Sequence, residues 1–281
     1  MPEDMMTTEL PPFRVWNRGG ARQVLALHCS LAHSGAWQGL ADRLEGVTVT
    51  ATDQPSHGRA PDWDGRTDLH GLSTRLSIAM AEELGQGAPI DLMGHSFGAT
   101  IALRIALQRP DLVRSLTLIE PVIFAAARSA EDPAYEPFKA SHLAFAAMVK
   151  AGQPEAAAAM FHGMWGTGSR FADLTEKSRL YMVNRIHLIV AQNPVLLEDA
   201  AGMLRFMGLE SVGVPVLLIE GAISPPIIGA VHTELARRLP NVSRLSVQGA
   251  GHMVPITHPE IVAPAVQLHL DRYQASGTQG G

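Results

Sequence analysis

The sequence predicts an α/β protein, a mostly parallel sheet covered by helices on both faces, with a helical cap inserted late in the chain. Three observations carry this. Short aliphatic or β-branched runs alternate with longer stretches of helical period. Such alternation implies parallel neighbours, because each helix returns the chain to the end of the sheet where it began. The rhythm then breaks over residues 122–211, where no convincing strand pattern is found, and resumes afterwards. The layout implied is a core of residues 1–121 and 212–281 with a cap of residues 122–211.

Residues 13–16 and 23–28 read as strands, 34–45 as a helix, and the β-branched run at 47–52 as a third strand. Leu69, Leu72, Leu76, Met80 and Leu84 form a helical stripe, so 68–84 is expected to be a helix. Residues 90–93 read as a short buried strand, and 97–108 as a helix stopped by Pro110. A strand at 116–119 precedes the insertion. Inside the insertion, Leu143, Ala147 and Met148, and later Tyr181, Ile186 and Ile189, follow helical spacing. Strands at 216–219 and 242–247 and helices at 227–239 and 259–273 complete the pattern. The first ten residues and residues 274–281 are polar or glycine-rich and read as loose.

With 281 residues, 46% of them hydrophobic and 17% charged, the chain can bury a large core and is not a disordered polymer. A net charge of −5 gives no footprint for nucleic acid. The single cysteine, Cys29, excludes an intrachain disulfide framework and a cysteine zinc site. No histidine–carboxylate cluster has metal-ligand spacing, so neither metal nor cofactor is expected. No apolar run approaches the roughly 18 residues of a membrane span. The start, Met1-Pro2-Glu3-Asp4, is acidic where a secretory leader is basic. A cytoplasmic protein with a small-molecule partner is expected, and a homodimer stays open.

The sharpest motif is Gly94-His95-Ser96-Phe97-Gly98, a G-x-S-x-G. Alone it is weak, but it lies between a buried strand and a helix, where a sharp turn lifts the serine hydroxyl above the sheet. The helix that follows aims free N–H groups at developing negative charge. A serine needs a base to take its proton. Among twelve histidines, only His252 combines a glycine-rich loop, a strand end and a late position. His95, inside the turn, is expected to orient it or line the pocket.

These segments together resemble the α/β-hydrolase superfamily over residues 13–273. His28-Cys29-Ser30, with Trp37 beyond it, is similar to the family's His-Gly-x oxyanion loop. Asp53-Gln54-Pro55-Ser56-His57-Gly58-Arg59 is similar to its Asp-x-Pro-Gly-His-Gly loop, with Asp53 and His57 expected to hold that loop beneath the site. The resemblance implies an oxyanion hole made by the backbone N–H groups of Ser30 and Phe97. The chain departs from the family at Cys29 and Ser56, where glycine is usual, and at Ser224, where the triad aspartate usually stands. A lone cysteine is most often a buried small hydrophobe, and Cys29 is read so.

With Ser224 unable to carry charge, the acid is sought elsewhere. Glu120 ends the strand before the insertion, where some members, haloalkane dehalogenases among them, resemble this arrangement. Neighbouring strands are about 5 Å apart, within a glutamate's reach. Glu220 is the runner-up. Dehalogenase chemistry itself is excluded, because it needs an aspartate where this chain has Ser96.

The expected function is a serine esterase cleaving a small, mostly apolar carboxylic ester through an acyl-enzyme, with Ser96, His252 and Glu120 as its triad. His28, His95, Met148, Met164, Trp165 and Met207 are the expected pocket residues, with Met160, Phe161 and Phe206 as further candidates. A lactonase, amidase or perhydrolase would use the same residues, and the missing aspartate leaves open a non-catalytic small-molecule binder.

Overall fold

The computed structural model describes residues 9–273. The expectation for residues 274–281, and for most of the first ten, lies outside them. The elements run β1 (Phe13–Trp16), β2 (Arg22–Leu27), α1 (Gln38–Ala41), β3 (Val47–Thr52), α2 (Leu69–Gly85), β4 (Ile90–His95), α3 (Phe97–Gln108) and β5 (Val113–Ile119). Six helices follow: α4 (Ala125–Ser129), α5 (Tyr135–Lys150), α6 (Pro154–Trp165), α7 (Glu176–Arg185), α8 (His187–Ala191) and α9 (Asn193–Leu196). The chain closes with β6 (Val216–Gly221), α10 (Pro226–Arg238), β7 (Val242–Val247), α11 (Val254–Thr257) and α12 (Pro259–Arg272). Among the described residues no strand falls between β5 and β6, and no helix is long and apolar enough to cross a membrane.

The seven strands form one sheet in the order β1-β3-β2-β4-β5-β6-β7. Only β1 runs antiparallel, against β3. Alternation along the strands sorts side chains to two faces. Leu25, Leu27, Leu92, Leu116, Leu118 and Leu218 pack with α2, α3 and α10, while Val24, Ala26, Met93, Ile119, Leu217 and Ile219 pack with α1 and α12. The central strands are buried on both sides, which explains their unbroken aliphatic runs. A third, smaller cluster lies inside the helical insertion, around Phe145, Ala157, Ala158, Ile186 and Ile189.

The stretch 34–45 departs from expectation. It is a 3-10 turn at Ser34–Trp37 followed by the four-residue α1, not one helix. Gly35 and Gly39 lower its helix propensity, and the His33 ring accepts from Gly35 N–H at 3.0 Å, tightening the first turn. The buried base of the sheet also carries a polar cluster with no sequence signal. Arg22 clasps Asp91 through Nε and Nη2 at 2.6 and 2.8 Å, and Ser115 and Arg114 add bonds at 2.6 and 3.1 Å. Saturating a buried carboxylate in this way is what makes its burial tolerable.

Candidate active site

The loops leaving the C-terminal ends of β2 to β7 gather at one edge of the sheet, where ligands of open parallel sheets bind. Between β4 and α3 a single residue, Ser96, turns the chain, with φ 55° and ψ −117°. That left-handed conformation is costly for a non-glycine residue and thrusts the hydroxyl away from the sheet. Both flanking glycines are sterically required. A Cβ on Gly94 would sit 2.4 Å from Gly98 O, and one on Gly98 would sit 2.0 Å from Leu27 O. The Ser96 N–H donates to Ile119 O at 2.8 Å and pins the turn to β5.

His252 lies in the loop after β7, with Nε2 3.0 Å from Ser96 Oγ. Its Nδ1 lies 2.8 Å from Glu120 Oε2. The Nδ1–H donates to the carboxylate, so the Nε2 lone pair faces the serine. Glu120 is fully buried and leaves β5 with φ 51°. Its backbone N–H bonds Ile219 O at 2.8 Å, and its Oε1 accepts from Gly221 N–H at 2.6 Å and from Ser224 Oγ at 2.8 Å. Burial alone would raise this carboxyl. The bond and charge of His252, with the Gly221 and Ser224 donors, outweigh burial and hold it below the usual carboxylate value. Ser224 thus donates to the carboxylate that it cannot itself supply. Glu220 points elsewhere, accepting from Arg244 at 3.2 Å.

Three buried histidines brace this arrangement. His95 donates from Nε2 to the His252 carbonyl at 2.9 Å, and burial, with His252 beside it, pushes its pKa down to about 3. His28 donates from Nδ1 to Cys29 O at 2.7 Å and accepts at Nε2 from Gln54 N–H at 2.9 Å. His57 accepts at Nε2 from Leu31 N–H at 3.1 Å. Asp53 accepts from Ser34 N–H at 2.7 Å and Arg59 N–H at 3.0 Å, tying the loops after β2 and β3 together. Ser56 takes φ 65°, so the left-handed turn that favours glycine is kept by a serine. Among the described residues, neither the Ser30 nor the Phe97 N–H meets a protein acceptor. Cys29 is buried, which pushes its thiol up to about 12.

A sequence model of the alpha/beta hydrolase family matches residues 24–265. The chain belongs to this family. The hydrolase is 34% identical over 104 residues to Lipase LipV of Mycobacterium tuberculosis, a match covering 37% of this chain and only 39% of the lipase. It is 27% identical over 263 residues to the pimeloyl-[acyl-carrier protein] methyl ester esterase of Yersinia pseudotuberculosis, covering 88% of this chain and 92% of that protein. Its fold is similar to that of a haloalkane dehalogenase loop variant from Bradyrhizobium elkanii, with a TM-score of 0.69, 21% identity, and coverage of 96% and 95% of the two chains.

In this hydrolase Ser96, Ser30, Trp165 and His252 border two connected spaces. An outer cleft runs past Leu31, His162, Thr167 and Met253. A narrow inner pocket is walled by Val122, Phe124, Phe161, Ile189 and Leu196, with His142 and Gln192 as its further polar members. The Trp165 ring stands edge-on to the His252 ring, centroids 4.7 Å apart.

The other expected pocket residues divide. Met164 borders a smaller apolar space beyond the inner pocket and the surface groove beside His252. Met160 lines that same small space, and Phe161 lines both the cleft and the inner pocket. Met148 does not reach the cleft and packs in the insertion's own core. Met207 is 54% exposed and Phe206 92% exposed, on a surface turn where Met207 has φ 57°. His28 is fully buried with both ring nitrogens engaged, and His95 likewise lies behind the site rather than in it. Gln192 was not foreseen, since no motif marks a lone glutamine in a helical stretch.

Proposed function

We propose that this hydrolase is a serine carboxylic-ester hydrolase, acting on small, mostly apolar acyl esters through an acyl-enzyme. The observation that carries the reading is the unbroken hydrogen-bond chain from Ser96 Oγ through His252 to the Glu120 carboxylate. Ser96 attacks the acyl carbon while His252 Nε2 takes its proton. The charge gathering on the carbonyl oxygen is met by the N–H groups of Ser30 and Phe97 and by the start of α3. Glu120 stabilises the imidazolium and fixes its tautomer. His252 then protonates the leaving oxygen as the C–O bond breaks. The alcohol leaves along the outer cleft, which continues beside His252 to the surface groove, and the acyl group stays in the inner pocket. Water, deprotonated by His252, attacks the acyl-serine and releases the acid, restoring Ser96.

The helices of residues 122–211 act as the cap that closes this space. Relatives named as a lipase and a methyl ester esterase support the ester reading. The absence of an aspartate at 224 favours a non-catalytic binder, and the Glu120 carboxylate 2.8 Å from His252 Nδ1 supports the enzyme reading over it. The test is p-nitrophenyl butanoate turnover together with fluorophosphonate labelling mapped by mass spectrometry. Label confined to Ser96 with complete loss of activity is expected. Full activity in Ser96→Ala, or label on Cys29 instead, would remove the serine-esterase reading.

A further inference from the structure

The loop after β2, which carries the Ser30 N–H, is held in a costly shape. Residues 29–32 form a tight turn closed by Ala32 N–H to Cys29 O at 3.3 Å. Leu31, its third residue, takes φ 60°, a left-handed conformation that favours glycine. A leucine stays there only where its surroundings over-determine it. From the core, the Leu31 N–H donates to His57 Nε2 at 3.1 Å, and the His57 Nδ1–H is spent on Pro55 O at 2.9 Å. The insertion supplies further holds. The Leu31 side chain packs against its core, and Gln192 lies 2.9 Å from Ser30 Oγ.

The hold with the clearest direction comes from Tyr181 of α7. Its hydroxyl accepts from Gly58 N–H at 3.0 Å and donates its own proton to Ala32 O at 2.8 Å. An amide N–H can only donate and a carbonyl only accept, so no other assignment remains. Arg185, one turn on, lies over the Tyr181 ring at 4.0 Å and donates from Nε to Ser56 O at 2.7 Å, which steadies the ring. In the esterase mechanism, on which this inference rests, the Ser30 N–H meets the charge on the carbonyl oxygen. Ser30 is the second residue of the turn, so the aim of its N–H follows the turn's backbone. We propose that Tyr181 is a positioning residue for the oxyanion hole. Its hydroxyl, reaching from the insertion to Ala32, keeps the turn in the shape that points the Ser30 N–H at the reacting oxygen. The neighbouring Met182, rather than Tyr181, borders the outer cleft, so the effect falls on the rate and not on substrate binding.

The test is Tyr181→Phe in the whole protein, which removes the hydroxyl and keeps the ring under Arg185. Losing an oxyanion donor outright costs roughly 10²–10³ in kcat, and a misaimed one costs less. For p-nitrophenyl butanoate, kcat is expected to fall by about tenfold with KM within about twofold. Butylboronic acid, whose tetrahedral adduct with Ser96 sets an oxygen in the same hole, should bind about tenfold more weakly. Arg179→Met is the control on the same helix, because Arg179 bonds Ala172 O and Leu174 O within the insertion. It should leave kcat and boronate binding within about twofold. If Tyr181→Phe does not fold, Arg185→Met carries the comparison, and it should lower kcat by about threefold or more with KM unchanged. Unchanged kcat and boronate binding, with Ser96 still labelled by fluorophosphonate, overturn this inference alone. An equal loss in Arg179→Met overturns it too, because α7 would then be merely loosened. So does a rise in KM without a fall in kcat, which would make Tyr181 part of the substrate wall. If the unaltered protein neither cleaves the ester nor takes the label, the esterase reading fails and takes the inference with it.

Discussion

Glu120 leaves β5 in the left-handed region, and this backbone turn carries its carboxylate across the end of β6 to meet Gly221, Ser224 and His252. Loss of the corresponding carboxylate costs on the order of 10⁴ in turnover in serine proteases. Glu120→Gln is expected to keep the fold and lower kcat for p-nitrophenyl butanoate by about a hundredfold or more. Glu220→Gln, which releases Arg244 and alters the contact with His232 but leaves the His252–Glu120 pair intact, should stay within about threefold. The reverse ranking would move the acid to β6. Much at this scale was readable beforehand. Ser96 announces itself through glycines that its turn cannot do without, and the aspartate absent at 224 directed attention to Glu120. Residue type and helical spacing do not say what surrounds a side chain, so Met148, partly buried, and His28, fully buried, lie away from the cleft and Met207 lies on the surface. Gln192 and the donor role of Ser224 left no pattern, since each acts through a partner far away in the chain.

The elements give two sharper contrasts. Gly98 at the start of α3 rests on the carbonyl of Leu27, whereas Gly229 in α10 has open space around it. Gly98→Ala should therefore destabilise by roughly 2 kcal/mol or more through overpacking and misplace the elbow. Gly229→Ala should stabilise by up to about 1 kcal/mol through helix propensity. Chemical denaturation of the two variants decides it, and similar effects would contradict the packing described. Within the insertion, α6 presents Trp165 to His252, while the turn with Met207 faces solvent. Trp165→Leu should shift the acyl-length optimum upward, and Met207→Ser should leave it unchanged, as read across p-nitrophenyl esters of increasing chain length. Most strands and long helices were legible from periodicity. The segment 34–45 was not, because two glycines and a capping histidine override its helical pattern locally.

For the molecule as a whole, the count of buried histidines sets how it responds to acid. Burial chiefly lowers His57, His70 and His95 to about 3, and His28, His232 and His269 to about 4. In the unfolded chain each would titrate near the ordinary value of about 6.5. Above that value both states are neutral and the stability is fully present. As pH falls below it, only the unfolded state takes up protons, so stability is lost down toward pH 3–4. Each such group contributes a slope of about 1.4 kcal/mol per pH unit in that window. The melting temperature should fall steeply from pH 6.5 to pH 4.5, with several protons taken up on unfolding. A flat profile would mean that these rings are not held neutral. The sheet order was implied by the alternating pattern, but which polar groups it would seal inside was not, because burial is a property of the assembled layers. That order has an evolutionary consequence. With β5 beside β6, the ends of two strands open onto one binding spot for a carboxylate, and Ser224 still touches it. A lineage can acquire an acid on one strand before discarding it from the other, so the charge can migrate across the sheet without any ancestor having to live with an unassisted histidine.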